Sequence, residues 1–317
     1  MFGLFKRIIA MLCTLVLFIP TSIPAKYSPK NADELIVNAV LLSDVHIEGN
    51  SSDRYTRFGK TLTGVFSTGT PVDALVFAGD NTMNGQNVEW FDFYGILCRL
   101  NKAENTLVGF GNHDFGNNAD HDDYLKLSER CIKQYNDYLN GNIDNVYYTK
   151  IINGVRFIML SSTDNAENTV SVISDEEIEW LKGELAASAA EGMPAVVVNH
   201  NLIYGRNGSR SYYSFNQTTN NAALDSALQN CGTDVVYVCG HSHFGVNDGS
   251  VSSSGRVTYV NLPSAGNTGN YDAEGLNADM GNGLVMEIYK DSISLRFRNF
   301  AAGEWIEGYD GIVIPLG

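Results

Sequence analysis

Five of the six histidines in this sequence follow short apolar segments and stand close to Asp, Asn or another His. They occur in Asp44-Val45-His46, Asn112-His113-Asp114, Val198-Asn199-His200 and His241-Ser242-His243, and Gly79-Asp80-Asn81 follows one more apolar segment. Carboxylate, imidazole and amide oxygen are ligands of Zn, Mn or Fe, and one carboxylate can bridge two such ions. The pattern therefore predicts a binuclear metal centre that carries out hydrolysis.

The apolar segments before these motifs are predicted to be β-strands, with helices between them. The predicted strands are Ile36–Ser43, Ala74–Ala78, Thr106–Gly109, Phe157–Ser161, Ala195–Asn199 and Val235–Cys239. The predicted helices are Asn87–Leu100, Tyr124–Asn140, Glu176–Ala190 and Ala222–Asn230. This alternation indicates the α/β class, in which functional groups gather where strands end. Val257–Asn261, Gly283–Tyr289 and Ser292–Phe297 then predict a strand-only tail paired as a meander or hairpin.

Each motif taken alone has an ordinary structural explanation. An Asp at a strand end commonly caps a turn, and a single His is more often packed than bound to metal. The joint pattern is different, because several independent packing accidents would have to fall at one edge of a sheet. Gly79, Gly111 and Gly240 beside the motifs would let the backbone turn tightly there.

In chain order, Asp-x-His, Gly-Asp, Gly-Asn-His-Asp, a single His and Gly-His-x-His span residues 37–245. This series resembles the calcineurin-like metallophosphoesterase family. The resemblance implies a four-layer α/β/β/α sandwich of two mixed sheets. It also implies two divalent or trivalent transition-metal ions, Zn, Mn or Fe, and in-line attack of a metal-bridging hydroxide on phosphorus.

The resemblance also implies roles for individual residues of this chain. The first ion would be held by Asp44, His46 and His243, the second by Asn112, His200 and His241, and Asp80 would bridge them. His113 would be the acid that protonates or stabilises the leaving oxygen, oriented by Asp114.

The sequence departs from two branches of that family. Purple acid phosphatases have Tyr three residues after the bridging Asp and lack the first His, whereas this chain has Met83 and His46. Protein Ser/Thr phosphatases have Asp-Arg where this chain has Met83 and Asn84, and Glu in place of Asp114. The pattern therefore looks closer to bacterial-type cyclic-nucleotide phosphodiesterases and broad phosphomonoesterases.

The loop 201–221, directly after His200, is a candidate substrate rim. It contains Arg206, Arg210 and Tyr212 in a chain otherwise poor in Arg. A guanidinium group can pair with phosphate, and a tyrosine ring can stack on a base. The alternative is an ordinary solvated loop.

The balance of acidic and basic side chains restricts the classes of substrate that the protein is expected to bind. With 36 acidic and 21 basic side chains, the formal net charge is −15, which argues against binding nucleic acid. A small phosphorylated substrate stays compatible with this charge, because bound metal can reverse the local field. We therefore expect a phosphoesterase acting on phosphomonoesters or small phosphodiesters, with nucleotides and cyclic nucleotides as candidates. The alternatives are a nuclease of the same superfamily and a non-catalytic metal-containing binding protein.

Residues 1–25 have the pattern of a signal peptide. Lys6 and Arg7 precede an apolar stretch of about a dozen residues, shorter than a membrane span requires. We therefore expect secretion, a single domain over residues 26–317 and no stable membrane span after cleavage. A retained anchor at the cell surface is the alternative. Four cysteines would remain (Cys98, Cys131, Cys231 and Cys239), as two disulfides or as buried thiols.

Overall fold

Two mixed β-sheets pack face to face in the computed structural model, which describes residues 6–9, 26–49, 51–116, 121–162, 170–206, 218–266 and 281–317. The first sheet contains β1 (Val37–Leu42), β2 (Ala74–Ala78), β3 (Asn105–Gly109), β10 (Asn282–Ile288), β11 (Ser292–Asn299), β12 (Glu304–Trp305) and β13 (Ile312–Pro315). Its strand order is β12-β11-β10-β1-β2-β3, and β13 also pairs with β11. β1, β2 and β3 are parallel, whereas the pairs of β10 and β11 are antiparallel.

The second sheet contains β4 (Tyr148–Ile152), β5 (Val155–Met159), β6 (Ala195–Val198), β7 (Val235–Cys239), β8 (Val251–Ser254) and β9 (Val257–Asn261). Its strand order is β4-β5-β6-β7-β9-β8. The four inner strands run parallel, and β4 and β8 pair antiparallel at the two edges. β6 and β7, which precede the His motifs of this sheet, are therefore parallel neighbours.

The helices lie on the outer faces of the sheets. They are α1 (Ser52–Val65), α2 (Asn87–Leu100), α3 (His121–Leu139), α4 (Asp175–Glu191) and α5 (Asn221–Gln229), preceded by a short 3₁₀ turn (Ala32–Glu34). Helices α1 to α3 share an apolar cluster with the first sheet, and α4 and α5 share another with the second sheet.

Alternating side chains of β2, and likewise of β7, pack into two different apolar clusters. In β2, Phe77 packs among the aromatic residues of α1 and α2, while Val76 points between the two sheets. In β7, Tyr237 packs with α4 and α5, while Val238 meets the first sheet. Because side chains of a strand alternate in direction, an unbroken apolar strand can fill both layers at once. Three apolar layers separate four layers of secondary structure, which confirms the predicted α/β/β/α sandwich.

The C-terminal strands confirm the predicted hairpin for β10 and β11, but not a meander of all three predicted strands. β9 pairs in parallel with β7 in the second sheet, whereas β10 and β11 form an antiparallel pair in the first. The tail is therefore not one meander, because its strands are divided between the sheets.

None of the helices in the described ranges combines the length and the apolar character that a membrane span requires. Cys98, Cys131, Cys231 and Cys239 are all free thiols, and Cys131 and Cys239 are buried. The free-thiol alternative therefore describes all four cysteines, although Cys98 and Cys231 are only partly buried.

A buried carboxyl group links α4 to the end of β5. Ser174 begins α4 by accepting a hydrogen bond from Glu177 N at 3.1 Å. The Glu177 side chain is fully buried and accepts a hydrogen bond from Ser161 N at 3.1 Å. Burial raises the pKa of Glu177 from 4.5 to about 8, so this carboxyl group keeps its proton at neutral pH.

Replacing Glu177 by Gln should flatten the pH dependence of stability. Between pH 5 and 8 the unfolded chain releases the Glu177 proton while the folded chain retains it, so folding stability falls as the pH rises. The free energy of unfolding of Glu177→Gln, relative to wild type, should rise by up to about 3 kcal/mol over this interval. Urea unfolding at the two pH values measures it. Glu176→Gln, at an exposed position of the same turn, is the matched control, and identical pH dependence in wild type and Glu177→Gln would contradict the assignment.

Candidate metal centre

The ends of five parallel strands carry the polar side chains that the sequence analysis singled out. Asp44 and His46 follow β1, Asp80 follows β2, Asn112 and His113 follow β3, His200 follows β6, and His241 and His243 follow β7. Parallel neighbours end at the same edge of a sheet, so each sheet presents its set at one edge. The packing of the sheets brings the two edges together.

Five of these residues have positive φ angles, a left-handed backbone conformation that residues other than glycine rarely adopt. The φ angles are 56° at Asp44, 50° at His46, 51° at Asp80, 66° at His241 and 54° at His243. A left-handed residue other than glycine costs on the order of 1 kcal/mol, and it persists where surrounding contacts dictate it. Here the contacts are backbone hydrogen bonds, such as Asp44 N to Gly79 O at 3.1 Å and His46 N to Asp80 O at 2.9 Å.

One group of ligand atoms comes from Asp44, His46, Asp80 and His243, all of them buried. His243 Nε2 lies 2.9 Å from Asp44 Oδ1 and 3.0 Å from His46 Nε2. His46 Nε2 lies 3.6 Å from Asp80 Oδ2. Separations of this size suit atoms that each lie about 2 Å from a common ion.

A second group shares Asp80 with the first and adds His200 and His241. His200 Nε2 lies 3.1 Å from Asp80 Oδ2 and 3.2 Å from His241 Nδ1. His200 Nδ1 donates to Ala78 O at 2.9 Å, which orients the ring and directs Nε2 to the cluster. His241 Nε2 is buried and has no hydrogen-bond partner in the described part of the chain. Two overlapping sets of nitrogen and oxygen donors thus fit two transition-metal ions.

The charge states of the cluster also suit cations. Burial raises the pKa of Asp44, but the charges and hydrogen bonds of the surrounding histidines, His243 foremost, together hold that pKa well below its usual range. Burial likewise acts against ionised Asp80, and the neighbouring histidines, His200 foremost, together lower its pKa.

The histidines of the cluster respond differently to their surroundings. Burial lowers the pKa of His46 to about 4 and that of His241 to about 3, so both are neutral. Burial also opposes the charged form of His200, but the Asp80 carboxylate outweighs it and raises the pKa to about 9. A metal ion that binds His200 would therefore displace a proton from its imidazole ring.

Two glycines give this cluster the space it needs. A Cβ atom on Gly111 would collide with Asp80 Oδ1, and one on Gly240 would collide with the side chains of Ser43 and Asp44. Neither glycine has a positive φ angle. Their role is therefore close approach of the backbone to the carboxylates rather than the tight turn that the sequence predicts.

His113 lies at the cluster, and the direct partner of its ring is a backbone carbonyl group rather than Asp114. The His113 ring centroid is 4.7 Å from that of His46, and His113 Nδ1 donates to the Met83 carbonyl oxygen at 2.7 Å. Asp114 is fully buried and its carboxylate accepts five hydrogen bonds, from Gly111 N, Asn81 N, Asn81 Nδ2, Thr82 N and Thr82 Oγ1. None of these five hydrogen bonds comes from the His113 ring, so the expected orientation of His113 by Asp114 is not a direct contact. A backbone carbonyl takes that place, and it leaves no side-chain signal in a sequence.

Of the three candidate substrate residues, Arg206 lies within the described part of the chain. Arg206 forms an ion pair with Asp225 at 2.9 Å, and its guanidinium carbon lies 5.1 Å from the centre of the Tyr259 ring. This pair would have to break before Arg206 could bind a phosphate group. Arg210 and Tyr212 lie outside the described residues.

Comparison with known proteins agrees with this geometry. The family model described as Calcineurin-like phosphoesterase matches residues 38–245. A probable cyclic nucleotide phosphodiesterase of Rhodococcus erythropolis is 29% identical over 160 residues, 48% of this chain and 48% of that protein. The chain thus matches about half the length of this curated relative. A dimetal phosphatase from Danio rerio has a similar fold, with a TM-score of 0.60 and 14% identity over 89% of this chain and 100% of that one.

Gly111→Ala should displace the carboxylate of Asp80, which belongs to both ligand groups. The added methyl group must displace Asp80 or the neighbouring His200 ring, so we expect metal affinity and kcat/KM to fall by about 10- to 100-fold. Metal analysis after dialysis and steady-state kinetics measure the two effects. Gly183→Ala, within α4 and with nothing within 4 Å of the new Cβ, should keep its metal. Equal metal content in both variants would contradict the assigned crowding.

Proposed function

The chain belongs to the calcineurin-like phosphoesterase family, and from this premise we propose that it hydrolyses phosphoric ester bonds. Its proposed substrates are phosphomonoesters and small phosphodiesters, nucleotides and cyclic nucleotides among them. The observation that carries the proposal is the pair of buried ligand groups that share Asp80. A centre of this kind recognises the phosphoryl group itself. The resemblance to a probable cyclic nucleotide phosphodiesterase adds the small cyclic diesters to the candidates.

The proposed ligands divide between two ions that fit the site. Asp44, His46 and His243 would hold one ion, Asn112, His200 and His241 the other, and Asp80 lies in both groups. When bound, such ions supply positive charge that neutralises the phosphoryl oxygens and activates the attacking water. The chain itself fixes the donors in advance, since backbone turns and burial already hold them together.

His113 is proposed to protonate the departing oxygen. Its ring lies edge-on to the ligand ring of His46, and it is only partly buried, so a substrate can reach it. The Met83 carbonyl can only accept a hydrogen bond, which places a proton on Nδ1 and leaves Nε2 as the atom that exchanges a proton with substrate. A poor leaving group needs this proton most.

Two observations favour small substrates over nucleic acid. The chain carries 15 more acidic than basic side chains, and phosphate contacts along a polymer require clustered Lys and Arg. Among the described residues, the Arg206 guanidinium is paired with Asp225. A nuclease of the same superfamily stays the second candidate, and the test below includes polynucleotides for that reason.

The function is tested with purified protein of known metal content. We expect turnover of phosphomonoesters, nucleotides, or 3′,5′- or 2′,3′-cyclic nucleotides, lost on chelation and restored by Zn, Mn or Fe. His113→Ala should retain its metal and lose about 100-fold or more in kcat on alkyl esters, and much less on 4-nitrophenyl esters.

Three results would contradict parts of this proposal. Preferred cleavage of polynucleotides would favour the nuclease. Two bound ions without turnover of any ester would favour a binding protein. Undiminished turnover of alkyl esters by His113→Ala would refute its role as the acid.

We also propose that the enzyme is secreted. Lys6 and Arg7 followed by a short apolar segment and Pro20 support removal of residues 1–25. Tyr27, two residues after the proposed cleavage site, is buried and donates its hydroxyl to Val65 O at 3.1 Å. Sequencing the N-terminus of protein from the culture medium should give Lys26, and retention of the whole chain in the cell fraction would contradict secretion.

A further inference from the structure

We propose that residues 82–86 form a positioning turn that aims the His113 ring, and that Thr82 and Glu89 act in catalysis through this turn. The inference rests on the proposed role of His113 as the acid. It assigns a function to side chains that touch neither substrate nor metal.

The imidazole ring of His113 is held by a backbone carbonyl group. The Met83 carbonyl oxygen accepts from His113 Nδ1 at 2.7 Å. The backbone of His113 is fixed separately, because its N–H donates to Asp80 Oδ1 at 2.9 Å. Rotation of the ring about its own side-chain bonds is therefore restrained by the Met83 carbonyl, and the position of that carbonyl decides where Nε2 points.

Thr82, the first residue of the turn, is held by the Asp114 carboxylate. Thr82 N and Thr82 Oγ1 both donate to Asp114 Oδ1, at 2.9 and 2.8 Å. The same hydroxyl accepts from Gly85 N at 3.2 Å, and Met83 N donates to Ile47 O at 2.8 Å. Thr82 is fully buried, so its hydroxyl joins the Asp114 carboxylate to both ends of the turn.

Glu89 and Arg130 hold the C-terminal end of the turn. Glu89, buried in the first turn of α2, accepts from Asn84 N at 2.9 Å, Gln86 N at 3.1 Å and Asn84 Nδ2 at 2.9 Å. Arg130 of α3 donates to Gly85 O at 2.8 Å. Two buried carboxylates thus hold the residues on either side of Met83. Burying a carboxylate is costly unless its hydrogen bonds are made, and here six of the eight come from this turn or from the loop of His113, the other two from Asn81.

Thr82→Val tests the inference because it removes the hydroxyl and keeps the shape. We expect kcat on an alkyl phosphate ester to fall by about tenfold, kcat on the matching 4-nitrophenyl ester to change by less than about twofold, and the metal content to stay the same. A variant damaged only in its fold would lose activity on both esters together.

A double-mutant cycle separates positioning from a structural role. In a His113→Ala background there is no ring to aim, so Thr82→Val should change turnover of the alkyl ester by less than about twofold. Thr61→Val is the matched control, since Thr61 is also buried and its hydroxyl donates to Arg57 O at 2.9 Å within α1. It should leave the dependence on leaving group unchanged.

Glu89→Gln provides a second route if Thr82→Val folds poorly. Its amide group would place a donor against the donors of Asn84 and Gln86, and it should produce the same selective loss on the alkyl ester. The inference is overturned if a variant with the thermal stability and metal content of the wild type slows both esters equally, or if its effect persists undiminished in the His113→Ala background. Full activity of His113→Ala alone would instead overturn the proposed role of His113 itself, so the two failures can be told apart.

Discussion

The centre depends on left-handed turns made at strand ends by residues other than glycine. Residues with a left-handed backbone follow β1, β2 and β7 closely, and they are the ones that supply carboxylates and imidazoles to the cluster. Each is unfavourable by itself, on the order of 1 kcal/mol. The turns persist because they are bonded to one another: His46 N donates to Asp80 O at 2.9 Å, and His241 N donates to Asp44 Oδ2 at 3.1 Å. The ligand geometry is therefore a property of the backbone before any ion binds.

Burial gives this arrangement its chemical character. Asp44 and Asp80 are ionised in an interior from which water is excluded, and the neighbouring imidazoles compensate their charge. Bound metal ions would supply that compensation in place of the proton on His200. Asp80 has the central place, because its side chain belongs to both ligand groups and also accepts the backbone N–H of His113. One residue thus couples the metal centre to the proposed acid.

The apolar segments were sufficient to predict the α/β class, the family resemblance implied the four layers, and the motifs identified the residues that meet at the sheet edges. They were not sufficient for features that leave no side-chain pattern. The Met83 carbonyl is a backbone group, and β9 joins β7 rather than β10 because of tertiary pairing that the sequence of β9 does not encode by itself. Helix α1 also went unpredicted. Arg206 was a reasonable candidate by type, but its partner Asp225 is 19 residues away and only the fold brings them together.

The central claim is that two ions share Asp80. Crystals of the metal-loaded enzyme, with diffraction recorded on both sides of the metal absorption edge, test this most directly. The account predicts two anomalous peaks per chain, one beside His46 and His243 and one beside His200 and His241, with Asp80 between them. A single peak, or two peaks of which only one contacts Asp80, would contradict it.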